Sequence, residues 1–373
     1  MNFLDELANR LLGEEDVVEG QQLSDFVIIW TTHQQRNIAL RLYDKNHFAL
    51  LWNAPSNPCL QKYDVPINLS QFTAVNLATR NMVDQQLTPF CRLRFYPSAE
   101  NVQYYIPSGD SKVLTVIDWD SSDYLKGFYL FPDCYNYDYT NTGHVYTGKC
   151  PPLAKTRNDQ LKWLWEASTA LYPSVYLSTF LKNSDKTALF VRNQVYEAMR
   201  VAALPKRLFV PPVYVYNRPV FTDATDQFLN EKDLVSSIGE CAALGAAGAV
   251  IWGASADYSN KELCQALSKY LTATLNPYIA NVTAAAKLCS DILCQSNGRC
   301  VRKNYNSSDY LHLNPANFKI QKRQNEKYVA LGIVTSAEMN ALASKFTCQC
   351  YTGKKCQAQL PTDISNTPQI IQI

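Results

Sequence analysis

The chain has 373 residues, 47% of them apolar and 18% charged, enough for one large domain and a small one around a sizeable core. A formal net charge of +2 argues against a general nucleic-acid binder, though it leaves room for a local basic groove facing an acidic polymer. Twelve cysteines stand against four scattered histidines, His33, His47, His144 and His312, with no zinc-type spacing between them, so disulfides and an oxidising compartment are expected rather than a metal.

In chain order, residues 1–47 open with an amphipathic helix pattern, Phe3, Leu4, Leu7, Leu11 and Leu12 sharing one stripe. The opening Met-Asn-Phe-Leu-Asp-Glu-Leu has acids where a secretory leader needs a basic start, so an incomplete or altered beginning is expected. No run approaches transmembrane length. Phe26 to Trp30 suits a buried strand, and from Phe48 a second strand runs into a proline-containing loop.

Val113 to Asp120 reads Val-Leu-Thr-Val-Ile-Asp-Trp-Asp, a β-branched run ending in two carboxylates two residues apart. In a strand, Asp118 and Asp120 face the same way. At the C-terminal end of a parallel barrel strand they stand where active sites form. Two neighbouring carboxyls do not both ionise freely, so one keeps a proton and serves as general acid, as in glycosidases. The plainer alternative is a strand ending in a solvated acidic turn, and this segment alone leaves both open.

Gly127 to Cys134 suits another strand ending in an acid. Then follow a helix over Asn158–Ala170, a short strand over Leu171–Leu177, a helix over Ala188–Ala203 and a strand over Phe209–Tyr216. A helix over Glu231–Leu244, a strand ending at Trp252 and a helix over Asn260–Leu275 complete the pattern. Strands alternating with helices predict parallel βα units. The 23 tyrosines suit stacking on sugar rings or a tyrosine-rich core. From Cys289 the spacing Cys-x4-Cys-x5-Cys, an insertion, and Cys348-x-Cys350-x5-Cys356 suits a small disulfide module, for which six cysteines allow fifteen connectivities. Asn68, Asn281 and Asn306 head glycosylation sequons.

Several segments together resemble the animal hyaluronidases, glycoside hydrolase family 56, the sperm-surface members above all. They include Leu51-Trp-Asn-Ala-Pro-Ser56, Val116-Ile-Asp-Trp119, Gly127-Phe-Tyr-Leu-Phe-Pro-Asp-Cys-Tyr-Asn136, Trp163-Leu-Trp165 and Ala170-Leu-Tyr-Pro-Ser-Val-Tyr176. Ala243-Leu-Gly-Ala-Ala-Gly248, Val250-Ile-Trp252, Asn276-Pro-Tyr-Ile-Ala-Asn-Val-Thr283 and Ser308-Asp-Tyr-Leu-His-Leu-Asn-Pro315 extend the resemblance. It is nearly continuous from Gly127 to Cys356, patchy between Phe48 and Asp120, and absent before Phe48.

The resemblance implies a distorted, incomplete TIM-like (β/α) barrel over 48–288, shortened between 76 and 127. A small EGF-like module over 289–357 and a tail over 358–373 that looks disordered would follow it. It implies endo-hydrolysis of β-1,4 N-acetylhexosaminide bonds in hyaluronan, extending to chondroitin, in which the substrate's own acetamido carbonyl attacks the anomeric carbon. Asp120 falls at the proton-donor position and Asp118 at the supporting one. Tyr129 and Tyr176 match cleft tyrosines, and Asp223 and Trp252 match later strand-end residues that shape the site. On the residues alone, the tyrosines would be core aromatics, Trp252 a barrel plug and Asp223 a helix cap. The implied disulfides are Cys59–Cys264, Cys134–Cys150, Cys289–Cys300, Cys294–Cys348 and Cys350–Cys356, leaving Cys91 and Cys241 either paired together or free. No cofactor is implied; a monomer that is secreted, cell-surface, lysosomal or acrosomal is.

Two departures bear on activity. Asp120 stands where the family has Glu, which shortens the acid's reach by about 1.5 Å, one C–C bond. Only Asp120 to Lys126 separate Trp119 from Gly127, whereas parallel neighbours need a crossover of about a dozen residues or more. A catalytically impaired relative that binds glycan or a cell-surface partner is therefore the alternative expectation.

Overall fold

The computed structural model describes residues 26–30, 47–76, 90–93, 113–115, 127–206, 210–351, 353–358 and 369–371. The amphipathic stripe at Phe3–Leu12 and the carboxylates of Asp118 and Asp120 lie outside the described residues.

The centre is a parallel sheet of β1 (Ala49–Asn53), β2 (Ala74–Asn76), β3 (Tyr214–Asn217) and β4 (Gly248–Trp252), in the order β2-β1-β4-β3. Ala49 pairs with Gly248 and Asn53 with Trp252, so β1 and β4 end level; Asn217 pairs with Ile251 on the other side of β4. Beyond β3 the parallel direction continues through isolated bridges, Leu171 to Val213, Ser174 to Tyr216 and Tyr129 to Tyr172. The expected strands at Gly127–Cys134 and Leu171–Leu177 are thus reduced to single bridges. Pro132 and Pro173 have no N–H to donate to a ladder, which limits pairing there.

The period of two along each strand separates two cores. Leu50, Trp52, Val215, Ala249 and Ile251 face the surrounding helices. Ala49, Leu51, Tyr172, Tyr214, Tyr216 and Val250 face the concave side, with Tyr176 and Trp252 at its rim. Gly248 is required where β4 meets β1: a Cβ there would lie 2.3 Å from the Ala49 carbonyl oxygen.

Helix α1 (Asp185–Ala202) is capped by Ser184, whose hydroxyl accepts from the Lys186 N–H, and its buried Phe190, Val191, Val195 and Ala198 form one stripe. The helix expected over Asn158–Ala170 is instead Pro152–Gln160 and Lys162–Ala167, broken at Leu161. Lys261–Tyr270 does not stop at Leu275. A π turn over Leu271–Leu275 carries the helix into α2 (Asn276–Leu293), and Pro277, which has no N–H to donate to the preceding turn, follows just after it.

Val113–Thr115 differs most from expectation. It pairs antiparallel with Phe26–Trp30, itself flanked by Phe90–Leu93, in a separate three-stranded sheet, and makes no ladder with the parallel one. The link to Gly127 is too short for a parallel crossover, whereas antiparallel pairing needs none. The tail also departs from expectation: Gln369–Ile371 adds a strand to the free edge of Tyr328–Gly332, whose other edge holds Phe318–Lys322.

Five disulfides join Cys59 to Cys264, Cys134 to Cys150, Cys289 to Cys300, Cys294 to Cys348 and Cys350 to Cys356. Cys241 is buried and free, its thiol pushed above the ordinary value by burial. The cysteine-rich segment pairs Gly298–Arg302 with Phe346–Cys350 and is keyed to the helices beside the sheet by a buried ion cluster. Glu240 Oε1 accepts from Arg192 Nε at 2.7 Å and from Arg302, while the two terminal nitrogens of Arg192 donate to the Asn306 and Ser307 carbonyls and those of Arg302 also reach the Tyr305 and Asp309 carbonyls.

Candidate active site

The C-terminal ends of β1, β3 and β4 gather a group of uncharged polar side chains. Trp252 ends β4 on the concave face and stacks on Tyr176, ring centres 5.6 Å apart and planes at 29°. The Tyr176 hydroxyl lies 2.5 Å from that of Tyr129, whose ring meets Tyr216 edge-on at 4.7 Å. Asn53, ending β1, donates from Nδ2 to the Tyr216 hydroxyl at 3.3 Å. Three strand ends and two bridged segments thus converge on one aromatic cluster.

Burial pushes the Tyr176 phenol well above its ordinary value, and the adjacent Tyr129 adds to this, while Arg218 opposes it. Tyr176 is therefore a neutral O–H across any physiological pH, able to donate a hydrogen bond and not to act as a base.

Asp223 does not join the cluster. It is exposed, and its two oxygens accept from the backbone N–H (2.8 Å) and hydroxyl (2.7 Å) of Thr179. Burial would raise its carboxyl, but these hydrogen bonds hold it below the ordinary value. It thereby caps the turn Thr179–Leu181, three residues after Tyr176, and the Thr222 N–H donates to the Leu177 carbonyl beside it. Tyr129, Tyr176 and Trp252 come together, then, while Asp223 braces the segment that carries Tyr176.

Sequence reasoning passed over Asn53, Tyr216 and Arg218. Each sits at a strand end on an alternating pattern, but Tyr-Val-Tyr-Asn-Arg carries no spacing that marks it out from an ordinary strand. Of the sequons, Asn306 is exposed; Asn281 lies within α2, its Oδ1 accepting from the Leu313 N–H, and Asn68 donates to the Glu326 carbonyl. Among the described residues no group of three or more His, Cys, Asp or Glu is placed to hold a metal, and no helix is long and apolar enough to cross a membrane.

A parallel sheet flanked by helices, with aromatic hydroxyls and an indole gathered at its strand ends, is the architecture of an α/β protein with its site at the carboxyl edge. A family model described as hyaluronidase matches residues 37–103 and 120–360, starting ahead of Phe48 and breaking across 104–119, so that Asp118 lies in the break and Asp120 opens the second segment. The chain is 34% identical over 413 aligned positions to hyaluronidase PH-20 of Homo sapiens, covering 87% of this chain and 80% of that protein. It is 33% identical to hyaluronidase-1 of Cerastes cerastes, covering 84% of this chain and 90% of that protein. The chain belongs to the hyaluronidase family. The PH-20 alignment has more positions than the whole chain has residues, so that relative carries residues inside the matched span that are missing here. Crystal structures of bee venom hyaluronidase, alone and with a hyaluronic acid tetramer, are similar at a TM-score of 0.45; the former is 19% identical and is matched over 62% of this chain and 99% of that one.

Proposed function

We propose that the chain is a hyaluronidase-type glycosidase that cleaves internal β-1,4 N-acetylhexosaminide bonds of hyaluronan, and of chondroitin, by a substrate-assisted retaining route. The observation that carries this reading is the Tyr129–Tyr176–Trp252 cluster at the carboxyl edge of a parallel sheet in a chain of this family.

In this reading Asp120 protonates the glycosidic oxygen as the substrate's acetamido carbonyl attacks the anomeric carbon; water then opens the cyclic intermediate, giving its proton back to Asp120. Asp118 holds the acetamido nitrogen and raises the donor's pKa. Tyr176, held neutral by burial, donates to the acetamido group, while Trp252 and Tyr129 pack against the sugar. Asp223 shapes the site through Thr179. No cofactor enters.

The break in the family match and the reach of the concave sheet, four ladder strands and two bridged segments, support a shortened barrel, with an EGF-like module from Cys289. Five disulfides support a secreted, cell-surface or lysosomal/acrosomal setting; glycosylation at the sequons and a monomeric state belong to the same reading.

Release of reducing ends from hyaluronan by the secreted full chain, from mildly acidic to neutral pH, tests the reading; none at high enzyme loading overturns it. Asp120 in place of Glu favours one second reading, a relative that binds hyaluronan without cleaving it. Salt-sensitive binding with no release would establish that instead.

A further inference from the structure

The register of the sheet sets Arg218 beside Trp252. Asn217, the last residue of β3, pairs with Ile251, so Arg218 leaves β3 at the level of Trp252, the last residue of β4. Arg218 is 9% exposed and donates from one terminal nitrogen to both oxygens of Asp257, at 3.0 and 2.7 Å. Asp257 Oδ2 also accepts from the Ala254 N–H at 2.8 Å, closing the turn Ser255–Tyr258 that follows Trp252. One carboxylate therefore ties the end of β3 to the end of β4. The Arg218 guanidinium carbon lies 5.4 Å from the centre of the Trp252 ring, within cation–π range.

We infer that Arg218, clamped by Asp257, is a positioning residue that fixes the Trp252 indole against Tyr176 at the sugar-binding edge of the sheet. The need for such a device follows from the surroundings. Trp252 is partly exposed and is followed by Gly253, which offers no side chain to pack against it. An indole with two free torsions would have to be ordered each time a sugar binds, and that cost falls when it is ordered beforehand. A guanidinium suits the task because its plane lies on a ring face while its edge donates to a carboxylate; an ammonium does one or the other. Asp257 neutralises the buried cation, so the charge is held in place instead of drawing out to water.

The inference rests on the proposed function for its kinetic consequence and not for its geometry, so two readouts separate them. In the full chain, Arg218→Lys keeps the charge and loses the plane. It is expected to raise KM for hyaluronan about tenfold while kcat changes less than threefold, the loss of a cation–π contact to a group that binds sugar without reacting. Independently, the indole N–H resonance of Trp252, assigned as the one lost in Trp252→Phe, is expected to move in Arg218→Lys and Asp257→Asn while those of the other tryptophans stay put. A chain with no turnover would fail the functional reading and leave the resonance to decide. An unmoved Trp252 resonance in both variants, or all indole resonances moving together, overturns the inference.

Discussion

The carboxyl edge of the parallel sheet and the junction with the cysteine-rich segment solve opposite problems. At the edge, Tyr129, Tyr176, Asn53 and Tyr216 exchange hydrogen bonds between neutral groups, and the Arg218–Asp257 ion pair lies behind Trp252. At the junction, Arg192, Arg302 and Glu240 are buried together; one disulfide ties Cys289 of α2 to Cys300, a second ties Cys294 just past α2 to Cys348, and a third joins Cys350 to Cys356. Neutral hydroxyls can be uncovered and covered by a sugar at little desolvation cost, whereas buried charges tolerate no opening. In the proposed reading, binding falls at the edge and rigidity at the junction.

Four substitutions press on that contrast, from the largest expected effect to the smallest. Tyr176→Phe removes the hydroxyl proposed to meet the acetamido group and leaves the stack on Trp252 in place. Turnover of hyaluronan is expected to fall about a hundredfold or more, the usual loss for a donor aimed at the reacting centre, while loss of the Tyr129 contact lowers stability by only about 1 kcal/mol. Glu240→Ala strands two buried guanidinium groups. It is expected to cost about 3–5 kcal/mol in denaturant unfolding, while activity per folded molecule stays near wild type.

His312 gives a smaller, pH-dependent effect. Burial lowers its pKa from 6.5 to about 4, and its Nε2 lies 3.0 Å from the Tyr278 hydroxyl. Between those two values the unfolded chain binds the proton and the folded chain does not, so stability rises with pH across that window and is lost as pH falls through it. His312→Gln, which keeps a hydrogen-bonding partner for Tyr278, is expected to flatten this slope, worth on the order of 3 kcal/mol, in unfolding curves taken between pH 4 and 6.5. Asp223→Asn is the mildest. The lowered carboxyl pKa means that its stabilising link to Thr179 is present above the unfolded value and fades as pH falls through the folded one. Activity is expected to drop only a few-fold at neutral pH, and the wild-type advantage to vanish in strong acid; a hundredfold loss at neutral pH would instead give Asp223 direct contact with substrate.

Sequence pattern made much of this arrangement legible. β1 and β4 carry dense apolar runs, and α1 has a Ser cap and a regular stripe, so local chemistry and tertiary context agree there. Val113–Thr115 was legible as a strand but not in its partner, because a three-residue β-branched run fits either an antiparallel or a parallel neighbour and connection length alone argues between them. Leu171–Leu177 reads as a strand from its apolar pattern, yet Pro173 limits it to bridges. Asp223 sits at a strand end as a catalytic acid would, and only its distance to Thr179 separates brace from contact. Arg218 and Asp257 are 39 residues apart, and nothing local to either announces the pair.

The central claim is that the aromatic edge serves a carboxyl acid at position 120 in cleaving hyaluronan. Its most direct test is the initial rate of reducing-end release from hyaluronan by the full chain, by Asp120→Glu and by Asp120→Glu combined with Tyr176→Phe. The account predicts measurable release by the chain itself, a rate about ten- to a hundredfold higher when the acid regains its reach of about 1.5 Å, and loss of that gain in the double variant. No release by either the chain or Asp120→Glu, with both folded, would contradict it.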